Sequence, residues 1–355
     1  MKCKVEKSKI TGQIICPSNK SYTHRAIFLA SLAGNNSKVD NALLSADTAA
    51  TIDACKKFGA VIKTQNSTII AENPIKLDVN VPEINTENSG TTIRIASGIA
   101  SLFSNEITLT GDESLQKRPM QPLLDALESI GAQCDSTDGK PPIKIKGKIL
   151  GGNVSIPGNL SSQFVSALLI SAPLTEKGIN LTIEGNLVSK PYLDATIATM
   201  RKFGVTVQTL IPYKKYNITP QIYKSATFTV PIDFSSLGLL LSAVVLNGED
   251  VIIKGNLGDL PQGDEVFLDI LEQLGVSVTI NDDEIKIKSP EKLNGGKFDL
   301  SNSPDLLPPL AILALKTTAP IEITNVKHAR LKETDRIAII SREMVKLGIK
   351  VQEKE

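Results

Sequence analysis

The chain predicts an α/β protein of two domains, each assembled from a small module that recurs about every 72 residues. Three observations carry this. First, a helix that ends in Gly and runs on into a strand recurs at Gly59, Gly131, Gly204, Gly275 and Gly348, with successive differences of 72, 73, 71 and 73. Gly in the left-handed conformation is a common helix stop, and the Val or Ile that follows most of these glycines favours a strand. Second, polar turns that open apolar helices recur in phase, near Pro17, Asn88, Gly158, Ile232 and Ser303. Third, 355 residues are enough for two domains with sizeable cores.

Taken in order, each module needs a strand before its Gly-ended helix. Ile107–Thr110, Leu181–Glu184, Val251–Lys254 and Ile321–Thr324 supply it, each closed by Gly or Asn. A module this long is not a solenoid turn of roughly 20–50 residues. It is a small subdomain with two helices and several short strands. The helices around Ala167–Ala172 and Leu237–Leu246 are apolar nearly all round, so they are expected in the interior. The fifth module reaches Glu355 just after its Gly, so the period predicts further strands and a sixth module beyond it.

Composition excludes several classes. Net charge is +1, so no global field favours nucleic acid or a membrane surface. Trp is absent and aromatics are 4%, too few for base-stacking platforms. Cys3, Cys16, Cys55 and Cys134, with His24 and His328, show no metal-ligand spacing and no disulfide framework. Thiols in a reducing cytoplasm are expected. The N-terminal lysines precede no apolar run, unlike a signal peptide, and Leu237–Leu246 is too short to span a bilayer. Nucleotide-binding glycine fingerprints and nucleophile–His–acid motifs are absent.

Chemistry concentrates at helix starts, and the sign of the charge there is informative. A helix N-terminus carries about half a positive charge and prefers acids, yet Lys20, Ser21 and Arg25 open the first helix. Cations at that end make sense when an external anion sits there. Asn88-Ser89-Gly90 can offer backbone N–H groups to an anion, with Arg94 leaning back over the same end. Arg118 stands before Pro119, expected at a first helical position. Ser161, Ser162 and Gln163 suit hydroxyls or phosphate, and Ser189-Lys190-Pro191 repeats the cation-before-Pro pattern. Lys332 and Arg336 are spaced to share a helical face, with Glu333 turned elsewhere for proton transfer. Asp305 opens the fifth apolar helix. The set suits phosphorylated, carboxylated small molecules and acid–base catalysis.

These stretches, Ser18-Asn-Lys-Ser, Asn88-Ser-Gly-Thr-Thr-Ile-Arg, Arg118-Pro-Met, Ser161-Ser-Gln, Ser189-Lys-Pro-Tyr, Pro304-Asp and Lys332-Glu-Thr-Asp-Arg, resemble the 5-enolpyruvylshikimate-3-phosphate (EPSP) synthase family over nearly the whole chain. The resemblance implies a two-domain enolpyruvyl transferase fold, an inside-out α/β barrel of repeated βαβαββ units. One domain would span residues 13–230. The other would combine 1–12 with 231–355, incomplete at its C-terminus. It implies transfer of the enolpyruvyl group of phosphoenolpyruvate to the 5-hydroxyl of shikimate 3-phosphate, with release of phosphate, in aromatic amino acid (chorismate) biosynthesis. No cofactor or metal is implied, and a cytoplasmic monomer is expected. By matching position, Ser21, Arg25, Ser161, Ser162, Gln163, Ser189 and Lys332 would hold shikimate 3-phosphate. Gly90, Arg118, Gln163 and Arg336 would hold phosphoenolpyruvate, and Lys20 would touch both. Asp305 would be the base and Glu333 the group that protonates the methylene carbon. Two alternatives stand beside this. The UDP-N-acetylglucosamine enolpyruvyl transferases carry a reactive Cys before the Arg-Pro pair, and Asp112–Lys117 has none. A truncated, catalytically impaired binder of phosphorylated metabolites is the other, because basic phosphoenolpyruvate ligands near the family's C-terminus have no counterpart before Glu355.

Overall fold

All five glycines of the period stop a helix. Each has a positive φ, between 79° and 117°, and follows the residue that caps the helix C-terminus. In the first four the capping residues Phe58, Ile130, Phe203 and Leu274 are buried, so the chain turns through Gly and leaves an apolar plug behind it. The computed structural model describes residues 4, 6 and 9–354. Its contacts divide the chain into two units.

The continuous unit holds Ser18–Val230 with Leu260–Gln262. Its helices are α1 (Lys20–Ala33), α2 (Ala46–Lys57), α3 (Gly90–Ala100), α4 (Gln121–Ser129), α5 (Ser162–Ser171) and α6 (Lys190–Lys202). Short polar side chains start several of them: Asn19 accepts from Tyr22 N, Ser89 from Thr92 N, and Ser161 from Gln163 N. Ser45 and Thr48 form a capping box on α2. Three four-stranded sheets share one plan, a parallel pair extended by an antiparallel hairpin. In order they are Glu83–Asn85, Ile107–Thr110, Lys140–Lys146, Gln133–Thr137; then Gly152–Pro157, Ile179–Glu184, Lys215–Ile218, Gln208–Ile211; and Thr227–Thr229, Ser37–Asp40, Thr68–Asn73, Val61–Gln65. In the last of these the parallel partner of Ser37–Asp40 comes from the far end of the unit, with Phe228 opposite Val39.

The split unit holds the described residues of Met1–Pro17 with Pro231–Asp259 and Gly263–Glu355. Its helices are α7 (Phe234–Asn247), α8 (Val266–Gln273), α9 (Leu307–Ile312) and α10 (Arg336–Lys346). The same plan recurs in the sheet Ile10–Ile15, Gly248–Lys254, Glu284–Lys288, Ser277–Asn281, and a parallel pair joins Gly296–Asp299 to Ile321–Thr324. Pairing of Ile10–Ile15 with Gly248–Lys254 keeps residues 10–17 in this unit, so the continuous unit starts at Ser18 rather than residue 13. Every sheet is open, and the described strands close no barrel.

The expectation of enclosed apolar helices holds for α5, buried from Phe164 to Ser171. It fails on one stripe of α7. Phe234, Leu237, Leu241, Val244 and Val245 are buried, but Leu239 is 56% exposed and Ala243, one turn on, is also exposed. Packing of α7 against α9 and the sheet strands Gly248–Lys254 and Glu284–Lys288 covers the first face and not the second.

In the continuous unit α3 crosses α5 at Gly98, where a Cβ would stand 2.6 Å from the carbonyl oxygen of Ala167. Backbone cannot yield as a flexible side chain does. Gly98→Ala is expected to lower stability by about 1–3 kcal/mol through overpacking, read as a lower urea midpoint with unchanged slope. An unchanged midpoint would contradict the crossing. Among the described residues no helix is long and apolar enough to cross a membrane, and no group of three or more His, Cys, Asp or Glu side chains is placed to hold a metal ion. Cys3 lies outside the described residues.

Candidate active site

In the continuous unit, hydrogen bonds tie together the N-terminal turns of five helices. Lys20 opens α1, and its Nζ lies 3.1 Å from Asp47 Oδ2 in the first turn of α2. The backbone carbonyl of Asp47 accepts from Thr92 Oγ1 on α3 at 3.5 Å. Gly90, the first residue of α3, sits against Arg118: a Cβ there would be 2.5 Å from Arg118 Nη1 and 3.7 Å from Arg94 Nη1. Arg118 Nη2 donates to Asn88 Oδ1 at 2.8 Å. Arg94 Nη1 donates to Gln163 Oε1 at 2.5 Å, and Gln163 Nε2 donates to Thr91 Oγ1 at 2.9 Å, which joins α3 to α5. Ser162 is buried beside Gln163.

Arg25 completes the set, and it is 1% exposed. Nε donates to Thr196 Oγ1 at 2.7 Å, Nη1 to Ser21 O at 2.9 Å, and Nη2 to Tyr192 O at 3.0 Å and Ser166 Oγ at 3.5 Å. The guanidinium thus reaches back over the start of α1, as the lean of helical side chains predicts, and also meets α5 and the first turn of α6. None of these acceptors is a carboxylate. Burial pushes Arg25 down to about 10, which still leaves it charged at neutral pH. A buried cation with only neutral partners is costly unless an anion completes it. Beside it, burial and then the charges of Lys20 and Arg25 push His24 down to about 3, so the ring is neutral. Its Nδ1 shares a 2.6 Å hydrogen bond with Thr51 Oγ1.

Two expectations about local structure change here. Arg118 is extended as the residue before Pro should be, with φ −85° and ψ 138°, but α4 begins at Gln121 rather than Pro119. Met120 N donates to Gly139 O, which holds the chain out of the helix for two more residues. Lys190 does not repeat the extended pattern. It is already the first residue of α6, and Ser189 before it takes the left-handed conformation, φ 54° and ψ 45°.

In the split unit, Asp305 lies in a 3₁₀ turn, Pro304–Leu306, that leads into α9. Arg336 Nη1 donates to Asp305 Oδ1, Arg336 Nη2 donates to Glu333 Oε2 at 2.8 Å, and Lys332 Nζ stands 3.9 Å from Asp305 Oδ1. The expected shared helical face of Lys332 and Arg336 is not formed. Asp335 caps α10 by accepting from Ala338 N at 3.0 Å, so the helix starts at Arg336 and Lys332 is extended before it. Glu333 is not turned elsewhere, because Arg336 holds it. Burial of Arg336 works against its charge, but Asp305 and Glu333 outweigh that and raise its pKa above the usual guanidinium range. His328 is lowered by burial and then by Lys332.

Behind Asp305 stands a residue the sequence did not single out. Asp264 is 5% exposed, its Oδ2 accepts from Ser235 Oγ, and its Oδ1 meets no hydrogen-bond donor. Burial pushes this carboxyl up to about 7, Asp305 and then Asp233 add to the push, and the Ser235 hydrogen bond and Lys332 oppose it. Asp47, Ser166 and Thr196 were also missed, although the Tyr192-x-x-x-Thr196 spacing places two of Arg25's partners one helical turn apart.

A sequence model of "EPSP synthase (3-phosphoshikimate 1-carboxyvinyltransferase)" matches residues 5–355. A 3-phosphoshikimate 1-carboxyvinyltransferase of Nitrosopumilus maritimus is 83% identical over 355 residues, covering 100% of this chain and 84% of the relative. That of Methanosphaera stadtmanae is 40% identical and covers 99% of this chain and 85% of the relative. Among solved structures, EPSP synthase from Acinetobacter baumannii aligns with a TM-score of 0.78 at 25% identity, over 94% of this chain and 78% of that one. The enolpyruvyl transferase NikO from Streptomyces tendae shares the fold, with a TM-score of 0.68 at 17% identity over 89% of this chain and 75% of that one. Helix tips that carry cations, the Arg336-held carboxylates and a match along the described length agree: the chain belongs to the EPSP synthase family.

Proposed function

We propose that this protein transfers the enolpyruvyl group of phosphoenolpyruvate to the 5-hydroxyl of shikimate 3-phosphate and releases phosphate. Family membership supports the reaction, and the buried Arg25 is the observation that carries the ligand chemistry. A guanidinium with neutral partners alone matches a dianionic phosphate. In this reading Arg25, Ser21, Ser161, Ser162, Gln163, Ser189 and Lys332 hold shikimate 3-phosphate. Arg118, the α3 tip at Gly90, Gln163 and Arg336 hold phosphoenolpyruvate, and Lys20 serves both. The reading includes a cytoplasmic monomer that needs no cofactor.

The chemistry follows from the two carboxylates. Asp305 takes the proton of the 5-hydroxyl as that oxygen attacks C2 of phosphoenolpyruvate, while Glu333, released from Arg336 and protonated from solvent before the step, gives that proton to C3. A tetrahedral intermediate results. Glu333 then takes a proton back from C3, the double bond re-forms, and the C2–O bond to phosphate breaks. The departing phosphate keeps the electron pair and accepts the proton from Asp305. In this reading Arg336, which holds both carboxylates in the resting geometry, exchanges them for the carboxylate of phosphoenolpyruvate.

The test is phosphate release with each substrate alone and with both together, beside calorimetric titration of shikimate 3-phosphate. Release that requires both substrates is expected. No release, with no heat of binding for shikimate 3-phosphate, would overturn the reading.

A further inference from the structure

The carboxyl of Asp264 has no place in the mechanism above, yet its surroundings are specific. It is held at one oxygen by Ser235, in the first turn of α7. Its other oxygen is buried with no donor. The loop that carries it is stitched to the loop that carries Asp305: Ser303 Oγ donates to the carbonyl of Gly263 at 2.8 Å. Ser303 is itself 3% exposed. The two carboxyls therefore sit on loops stitched to one another, Asp264 buried and the Asp305 side chain 23% exposed, and the charge of Asp305 is felt at Asp264.

We propose that Asp264 is a positioning residue for Asp305, a second carboxyl whose ionisation state sets how strongly Asp305 attracts a proton. The inference rests on the role given to Asp305 above. When Asp264 is neutral, Asp305 is the weaker base. When Asp264 is charged, repulsion between the two carboxylates favours arrival of a proton on Asp305. The proton taken from the substrate hydroxyl relieves that repulsion, so the pair acts as one coupled acceptor. The other charged groups around Asp264 are Asp233 at the start of α7 and Lys332, while Glu265 and Asp269 at the start of α8 are outside the buried pocket. Asp305 itself is bonded by Arg336, which also holds Glu333, and is faced by Lys332 and His328. Burial, with the charge of Asp305, raises the Asp264 carboxyl from the usual carboxylate range toward neutrality, so its ionisation moves into the working range of pH.

The sign follows directly. Asp264 binds its proton more tightly in the folded chain than its ordinary value of 3.8 allows, so its contribution to stability falls as pH rises from about 4 through about 7. Turnover should move the other way and rise as Asp264 ionises.

Asp264→Asn keeps the shape and the acceptor for Ser235 but cannot ionise. Against the wild type, its kcat is expected to be nearly equal at pH 5.5 and lower by up to about tenfold at pH 8.5, the equivalent of one pKa unit. The rate inflection near 7 disappears. Its Tm is expected to exceed that of the wild type increasingly as pH rises. Ser235→Ala removes the bond that stabilises the charged form, so its inflection moves to higher pH. A structural role alone would lower kcat by one factor at all pH values. That result, or a Ser235→Ala inflection that stays put or moves down, overturns the proposal. Failure of the wild type to turn over would sink the reaction assigned above instead, and the pH-dependent difference in Tm would still decide whether Asp264 ionises as described.

Discussion

Arg25→Met is expected to cost at least about 100-fold in affinity for shikimate 3-phosphate while leaving Tm unchanged or higher. The two outcomes are opposed for one reason. A guanidinium that is 1% exposed and bonded only to neutral oxygens is unfavourable until a ligand brings charge. Removing it strands little. Thr196 Oγ1 still donates to Tyr192 O at 2.8 Å and shares a 2.7 Å hydrogen bond with Ser166 Oγ, so Thr196, Tyr192 and Ser166 all keep partners. Met fills much of the same volume with apolar atoms. The ligand, in contrast, loses charge-assisted bonds of about 1.5–3 kcal/mol each, and two such bonds already exceed 100-fold. Calorimetry with shikimate 3-phosphate and a thermal melt check both halves. Binding within tenfold of the wild type would remove Arg25 from the site, and a large fall in Tm would mean that its role is structural.

Asp305→Asn is expected to lower kcat by about 10²–10⁴, the usual contribution of a positioned general base, without raising KM for phosphoenolpyruvate. The second half is the diagnostic part. Asp305 and Glu333 both hold Arg336 in the resting geometry, so the substrate carboxylate must compete with them for the same guanidinium. Asn at position 305 weakens that competition, so KM should stay level or fall as kcat collapses. Steady-state phosphate release over a range of phosphoenolpyruvate concentrations reads both constants. A kcat within threefold of the wild type would take the base away from Asp305.

The parts of this molecule that were legible in the sequence are those set by local chemistry. A left-handed Gly after a helix is a short-range requirement, and all five positions carry it. Asn19, Ser89 and Ser161 as caps are equally local. Strand pairing was not legible. Thr227–Thr229 lies beside Ser37–Asp40, and no pattern within either segment names the other. The partners of Arg25 on α5 and α6 are distant in sequence for the same reason. At the last helix two local signals competed. Lys332 and Arg336 at i,i+4 suggested one face, but Asp335 is a strong N-cap with Ala338 N within reach, and the cap decided where the helix begins. Asp264 was hidden because an acid near a helix start is ordinary. Only burial and the stitch from Ser303 to Gly263 mark it out.

Pro17 O accepts from Asp233 N at 2.8 Å, so the first two segments of the split unit are fastened to one another where they flank residues 18–230. This imposes an order of events on synthesis. Ile10–Ile15 leaves the ribosome long before its partner Gly248–Lys254, and bringing them together across an unstructured chain carries a loop-closure cost. Once the intervening 18–230 segment has collapsed and its last strand has docked on its first, that gap shrinks to a neighbouring contact. The inserted unit thus acts as the clasp for its host, and damage to it, such as a clash at Gly98, should delay closure of a sheet to which it contributes no strand.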